Sequence, residues 1–509
     1  MNAARSAQTR GLMRTFRNRT RCMLTVVVAV LAAGCGGGGG GGGNALPPPV
    51  PAPPPPPPLV LRLSTDPFTN STSQHATEVE PSAYARGMTI VSAFQTGRFL
   101  VAGASDIGFA TSQDGGNTWT AGALPGTTSI VQPGSPFMSV SDAAVAYDAA
   151  RQVWLIVSLP IPFGAIAPAA LVSRSTDALH WNDPVSVAPG QAASDKTWIA
   201  CDDGAASPFF GHCYVEWDDP SANGIVHMSV SNDGGATWGP PQSTVGNGTG
   251  LGGQPLVQPN GTVIVPLDDF NEQTILAFVS RDGGASWTQP VLVSPVIDHL
   301  EAGGLRSGPL VSAGIDAGGT VYAVWQDCRF RPRCAANDLV LSASHDGVGW
   351  SAPARIPIDA TGSGIDHFIP GLAVDAATAG AHLGVTYYYY GNTACTQANC
   401  QLFAGFVSSP DGGATWTAPT RLAGPMNLTW LPQTTQGFMV GDYMASVFSG
   451  GQPVGVFEIA NAPAGTRFDQ ATYASRPGAL VLQGPRRSSA RERPIPGAVR
   501  DPGPRPRPR

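Results

Sequence analysis

The chain has 509 residues, of which only 13% are charged, and it carries a formal net charge of −6 with 63 glycines and 48 prolines. Such a length holds two or three average domains, or one large closed unit. With no basic stripe in the region read as folded, nucleic acid is not expected as a partner.

In chain order, Arg5, Arg10, Arg14, Arg17, Arg19 and Arg21 precede the apolar run Met23–Ala33, which is too short to span a bilayer. The run overlaps Leu31-Ala-Ala-Gly-Cys35. This layout marks residues 1–35 as an export signal, set aside from fold reasoning. The segment ending in Cys35 resembles a bacterial lipobox, which implies that Cys35 is lipidated. An ordinary secretory peptide cut nearby is the alternative. Residues 36–58 follow as a tether, with Gly36–Gly43 flexible and Pro47–Pro58 stiff and extended. The protein is therefore expected to be exported, touching a membrane through its lipid alone, on the periplasmic side or the cell surface.

From there a short motif recurs six times, each copy ending in tryptophan. Four copies have full length: Ser112-Gln-Asp114-Gly-Gly-Asn-Thr-Trp119, Ser231-Asn-Asp233-Gly-Gly-Ala-Thr-Trp238, Ser280-Arg-Asp282-Gly-Gly-Ala-Ser-Trp287 and Ser409-Pro-Asp411-Gly-Gly-Ala-Thr-Trp416. Two are a residue shorter, Ser175-Thr-Asp177-Ala-Leu-His-Trp181 and Ser344-His-Asp346-Gly-Val-Gly-Trp350. The tryptophans are spaced by 62, 57, 49, 63 and 66 residues, a repeat architecture. Ser and Asp bond nearby backbone N–H groups, glycines relieve the turn, and tryptophan supplies a packing face. Each box is thus expected to be a hairpin turn with an anchor, holding no group placed for chemistry.

Between boxes the pattern is of short β-branched and aromatic strands broken by Gly, Asp, Asn or Pro. Ala143–Tyr147 pairs with Val153–Ser158, Thr197–Cys201 with Tyr214–Trp217, Leu310–Ile315 with Val321–Trp325, and Leu372–Asp375 with Gly384–Tyr390. A third strand follows each pair, as in Ile225–Val230 and Leu339–Ala343, then a box and a Pro-containing outer strand. A last set, Gly441–Phe448, Pro453–Glu458 and Asp469–Ala474, has no box. Four antiparallel strands per repeat, set radially, make an all-β propeller. Seven blades are expected, with six and a shared closing blade as the alternative.

With these boxes, residues 78–475 resemble the sialidase-like β-propellers, where the motif is called the Asp box or BNR repeat. The propeller is assigned to 59–482, and 483–509, rich in Arg and Pro, to a disordered tail. The resemblance places the boxes on the face away from the active site. It leaves function open, because the same box occurs in glycosidases, receptors and non-enzymatic assembly factors.

Two of the eight cysteines, Cys22 and Cys35, fall in the signal; the other six form close pairs. Cys201 with Cys213, Cys328 with Cys334 and Cys395 with Cys400 are expected as local disulfides of an oxidising compartment, a metal site being the weaker alternative. No cofactor is expected and no metal ligand is assigned; the acid-rich loops leave a cation between blades open, but calcium-loop spacing is absent.

Chemistry is expected on the face opposite the boxes, where polar residues open the innermost strands. These are Glu80, Asp142, Asp195 with Lys196, Gln254, Arg306, His367 and Asp442, and Lys196 is the only lysine in the chain. Connections between second and third strands add Asp218, Asp219, Asp268, Asp269, Asp327, Arg329 and Tyr390. Glu80, Asp142, Asp195 and Asp442 are the candidate catalytic carboxylates; Lys196, Arg306, His367, Asp327, Arg329 and Tyr443 are candidate ligand-binding residues. Each also has a structural role open to it, Asp195 and Lys196 as ion-pairing residues between blades and Trp217 and Trp325 as packed strand residues.

The resemblance to sialidases implies a clamp of three arginines, a Tyr–Glu nucleophile pair and an Asp acid/base. Only Arg306 opens a strand, with Arg329 nearby. Arg355-Ile356-Pro357 falls after the fifth box, on an outer strand, rather than upstream of the first. Two readings stand: a surface-tethered glycoside hydrolase of sialidase-like type, or a non-catalytic propeller binding glycan or protein partners in the envelope. A scaffold or assembly factor is a third. A monomer with a glycan or glycoconjugate partner is expected.

Overall fold

The computed structural model describes residues 59–480 except 165, 192, 376 and 378–380, together with 487–488 and 493–495. Residues 1–35, expected as an export signal with Cys35, residues 36–58, expected as a tether, and most of 483–509, expected as a tail, lie outside the described residues. Strands dominate, and helix among the described residues amounts to four 3-10 turns of three residues each.

The strands assemble as five four-stranded antiparallel sheets, one eight-stranded sheet and two short ribbons. The eight-stranded sheet is two runs of four strands, Glu78–Ala123 and Phe137–Val187, joined at a single pairing of Ala104 with Val140. Each run follows the predicted order. In the third set Asp195–Cys201 pairs with Cys213–Asp219, which pairs with Ile225–Ser231 and then Gln242–Ser243. The strands inferred from patterning all appear with shifted ends: Thr197–Cys201 extends back to Asp195, whereas Leu310–Ile315 begins only at Ser312 and Gly441–Phe448 only at Ala445. The last set departs from consecutive order: Ala445–Ser449, Gln452–Ala460 and Gln470–Ser475 are completed by Val60–Arg62 from the start of the described chain.

Each set's first strand lies against its neighbours. Glu78–Arg86 meets Phe137–Asp148, which meets Asp195–Cys201, then Leu256–Val257, Ser312–Ile315 and Asp366–Val374. Ala445–Ser449 lies against both Asp366–Val374 and Glu78–Arg86. Sheets standing side by side bury both faces, which corrects one expectation. Of Tyr387–Tyr390, half were expected in the core by alternation, yet Tyr387, Tyr388 and Tyr390 are all buried and Tyr389 half-buried. Tyr388 and Tyr390 fill one core cluster and Tyr387 the next, on the opposite side of the same sheet. Trp217 and Trp325 are fully buried strand residues for the same reason.

The six boxes sit between third and fourth strands and act as the composition predicts. In the first, Gly116 N donates to Ser112 Oγ at 2.8 Å, Thr118 N to Asp114 Oδ1 at 2.9 Å and Thr118 Oγ1 to Asp114 Oδ2 at 2.6 Å. These bonds, the Thr118 hydroxyl first, hold the Asp114 carboxyl down at about 2. The tryptophan turns its ring to the sheet and gives its N–H to Gly116 O at 3.1 Å.

The three disulfides join Cys201 to Cys213, Cys328 to Cys334 and Cys395 to Cys400, spanning 12, 6 and 5 residues. The first crosses directly between paired strand positions. Within the predicted tail, Arg487–Ser488 pairs with Thr415–Trp416, and Ile495 N donates to Arg329 O at 2.9 Å. Backbone pairing of this kind needs no apolar side chains, so composition alone did not reveal it.

Candidate functional site

Four first strands share an irregularity near their opening ends. The pairing register shifts after Val79, Ser141, Asp195 and Phe368. At each shift one non-glycine residue takes a left-handed backbone: Glu80 at φ 58°, Asp142 at 45°, Lys196 at 46° and Ile369 at 49°. A bulge re-aims the side chain it carries, and such conformations persist only where the surroundings hold them. In three of the four sets the re-aimed side chain is charged, and those three converge.

Lys196 is the centre of the cluster. Its Nζ lies 2.5 Å from Asp442 Oδ2, 3.3 Å from Asp142 Oδ1 and 3.5 Å from Glu80 Oε1, and its side chain is 7% exposed. Arg306 grips the same Asp442 from the far side, with Nε donating to Oδ1 at 2.7 Å and Nη2 bonded to Oδ2. Asp442 N donates to Glu80 Oε1 at 3.3 Å, and Gln95 Nε2 donates to Glu80 Oε2. This approach needs Gly441, whose φ is 146° and where a Cβ would lie 3.1 Å from Glu80 N. Tyr443 closes one wall, its hydroxyl donating to Ala143 O at 3.3 Å and its ring 5.8 Å from Lys196 Nζ.

The electrostatics follow from burial against charge. Burial, opposed by Lys196, pushes the Glu80 carboxyl up to about 8, and burial with Asp142 pushes Asp195 up to about 6. Burial works against charge on Asp442 too, but Arg306 and then Lys196 outweigh it and hold that carboxyl well below the usual carboxylate range. Asp142, Asp442 and Glu80 likewise outweigh the burial of Lys196 and keep its ammonium charged far above its ordinary range. Burial, then the charge of Glu80, drives the Tyr443 hydroxyl far upward, so it remains a phenol.

Of the ten candidate catalytic and ligand-binding residues, the structure brings Glu80, Asp142, Lys196, Arg306, Asp442 and Tyr443 together. Asp195 adjoins them, its Oδ1 accepting from Lys196 N at 3.0 Å and its strand position pairing with Asp218. The other three stand elsewhere. Asp327 and Arg329 bond to each other, Arg329 Nε to Asp327 Oδ1 at 2.8 Å. His367 is 1% exposed, with its ring 5.5 Å from that of Tyr387, and burial lowers its basicity. Gln254 is spent on the backbone, its Oε1 accepting from Ala313 N at 2.9 Å.

Arg98 and Gln95 escaped sequence reasoning. Both lie toward the end of the second strand of the first set, Thr89–Arg98, where other sets carry Asp218, Asp268 and Asp327. That shared position was the available signal. Buried Arg98 feels the charges of Arg306, Glu80, Asp442 and Asp142, and burial lowers its basicity most. Its Nε faces Met439 Sδ at 3.3 Å and its Nη1 donates to Gly103 O.

Two arginines, Arg98 and Arg306, thus flank Glu80 and Tyr443 among the described residues, where a carboxylate clamp would need three. Both are already bonded, and Arg355 of the Arg-Ile-Pro triplet pairs with Asp338 and Asp359 instead. Asp338, Asp359 and His367 form the one group of potential metal ligands found among the described residues. Arg331 and Arg355 already neutralise its two carboxylates, at 2.6 to 2.9 Å. Beside the Lys196 cluster lies a cavity of about 60 Å³ between Arg306, Ser307, Leu305 and Gln436.

No family model matches the chain, and no curated protein sequence matches it. Among solved structures, a protein of unknown function from Dyadobacter fermentans is 14% identical over 82% of this chain and 98% of its own, with a TM-score of 0.41. The NanB sialidase from Streptococcus pneumoniae is 12% identical, covering 83% of this chain and 71% of its own at a TM-score of 0.39. A Trypanosoma rangeli sialidase is 12% identical, covering 83% and 59% at 0.40. Likenesses this distant assign no role to any residue.

Proposed function

We propose that the chain is a seven-bladed, sialidase-like β-propeller that binds a glycan in the bacterial envelope without hydrolysing it. Seven runs of four strands support the blade count. Closure is supported by two seams between the chain's ends: Val60–Arg62 completing the last sheet, and Glu78–Arg86 lying against Ala445–Ser449. In this reading Cys35 carries a lipid, 36–58 is the tether, and the propeller works as an exported monomer on the periplasmic side or the cell surface.

One observation carries the non-catalytic reading: the Lys196 ammonium sits among the carboxylates. Glycoside hydrolysis with two carboxyl groups needs them about 5 to 10 Å apart with the scissile bond between. Nζ lies 3.5 Å from the Glu80 oxygen and 2.5 Å from that of Asp442, so these two are within about 6 Å and the ammonium fills the gap. Of the cations that might clamp an acidic sugar, Lys196 and Arg306 are committed to Asp442 and Arg98 donates to Gly103 O. The polar and leucine-rich mouth around Arg306 and Gln436 remains for contact with a sugar's polar rim and apolar face.

A second reading, hydrolysis of a glycoside, is favoured by the opposite displacement of Glu80 and Asp442, the split that acid/base chemistry uses. Turnover of fluorogenic glycosides, sialosides included, by the purified full chain decides between them. The expected result is no release of fluorophore alongside binding on a glycan array. Turnover that is lost in Glu80→Gln would overturn the non-catalytic reading.

A further inference from the structure

A second space lies away from the Lys196 cluster. A cavity of about 520 Å³ opens between the first strand set and the segment that follows Val60–Arg62. Its volume falls within the roughly 300 to 1,000 Å³ typical of small-molecule sites, which the axial cavity does not approach. Phe94 and two half-buried aromatic residues, Phe68 and Trp119, line it. Trp119 spends its N–H on Gly116 O, so what it offers the cavity is ring surface.

Part of its wall is built of small residues. The outer strand Thr120–Ala123 presents Ala121, Gly122 and Ala123. At Gly108 a Cβ would lie 2.5 Å from the Phe94 ring and 2.6 Å from Thr96 Oγ1. Thr96 is 3% exposed, and its hydroxyl has no hydrogen-bond partner among the described residues. A buried hydroxyl left unpaired is costly and calls for a partner. Charge is absent from the demand: the one charged lining residue, Arg62, is bonded to Asp469 at 2.8 Å and to Ser64 O at 3.0 Å.

We propose that this cleft is a second ligand site, separate from the Lys196 cluster, and that it takes a neutral pyranose ring. The C–H face of such a ring packs on Trp119 and Phe68, and one of its hydroxyls pairs with Thr96 Oγ1. The proposal does not rest on the axial site, since the two share no residue.

The test is saturation-transfer NMR on the full chain in detergent, with methyl glycosides of glucose, galactose, mannose and N-acetylglucosamine, and with the methyl glycoside of N-acetylneuraminic acid as the anionic probe. At least one neutral glycoside should give signal from its ring C–H protons. Ala121→Phe, on an exposed strand, fills the cleft and should abolish that signal. Thr96→Val keeps the shape, removes the hydroxyl and should weaken binding about tenfold, the size expected of one hydrogen bond to a group otherwise left unpaired. No signal from any neutral glycoside, or signal unchanged in Ala121→Phe, would overturn the proposal. So would signal from the methyl sialoside but from no neutral glycoside, or binding of a synthetic 47–58 peptide where the neutral glycosides fail.

Discussion

Replacing Lys196 with methionine removes the one ammonium that three buried carboxyl groups share. Glu80, raised to about 8, is largely protonated at neutral pH, and Asp442 keeps Arg306. Asp142 is the group left exposed to the loss, because Lys196 is its ion-pair partner and it is only 3% accessible. Breaking one buried pair in this way costs about 3 to 5 kcal/mol. With roughly 420 ordered residues and about 2.1 cal/mol/K of unfolding entropy per residue, that cost lowers Tm by about 4 °C. Adding Asp142→Asn to Lys196→Met should restore about half of the loss at pH 7.5. Differential scanning calorimetry of the full chain at pH 7.5 measures both effects. A Tm within 1 °C of the parent for Lys196→Met, or no recovery in the double variant, would refute the reasoning.

Glu78 gives a different pH signature. Burial raises its carboxyl from 4.5 to about 7, against the hydroxyl of Ser64 at 2.7 Å and Thr472 N at 2.8 Å. A raised folded pKa means its stabilisation is full below the unfolded value and lost as pH rises through about 7. Glu78→Gln should therefore flatten that loss, leaving the variant more stable at pH 8.5 by on the order of 3 kcal/mol, as urea unfolding at pH 4.5 and 8.5 would show. Replacing Cys201 and Cys213 together with alanine frees a loop with a sequence separation of 12 and should cost about 3 kcal/mol in the same assay. Reductant should then have less effect on the variant than on the parent.

Much of the fold was legible because its determinants are local. A Ser/Asp/Gly turn closes within five residues, and the Ser112 box makes its bonds across spans of two to four residues. The cysteine pairs span 12 residues or fewer, so proximity in sequence was proximity in space. Alternating apolar strands announced themselves the same way. Buried tyrosines on both sides of one strand did not, since which faces are covered depends on what stands beside the sheet.

The candidate site divides along the same line. Sequence alone determined that polar residues open the first strands and that Glu80, Asp142, Lys196 and Asp442 belong among them. It could not say that one lysine would hold carboxylates 116, 54 and 246 residues away, nor that Arg98 would join them from a second strand. Nor could it show that His367, Asp327 and Arg329 would be spent elsewhere. Turns and hairpin disulfides are decided by neighbours along the chain. Pairing of buried charges, and the empty wedge beside Thr96, are decided by which sheets the tertiary fold sets side by side, because only there do desolvation and Coulomb attraction act on the same atoms.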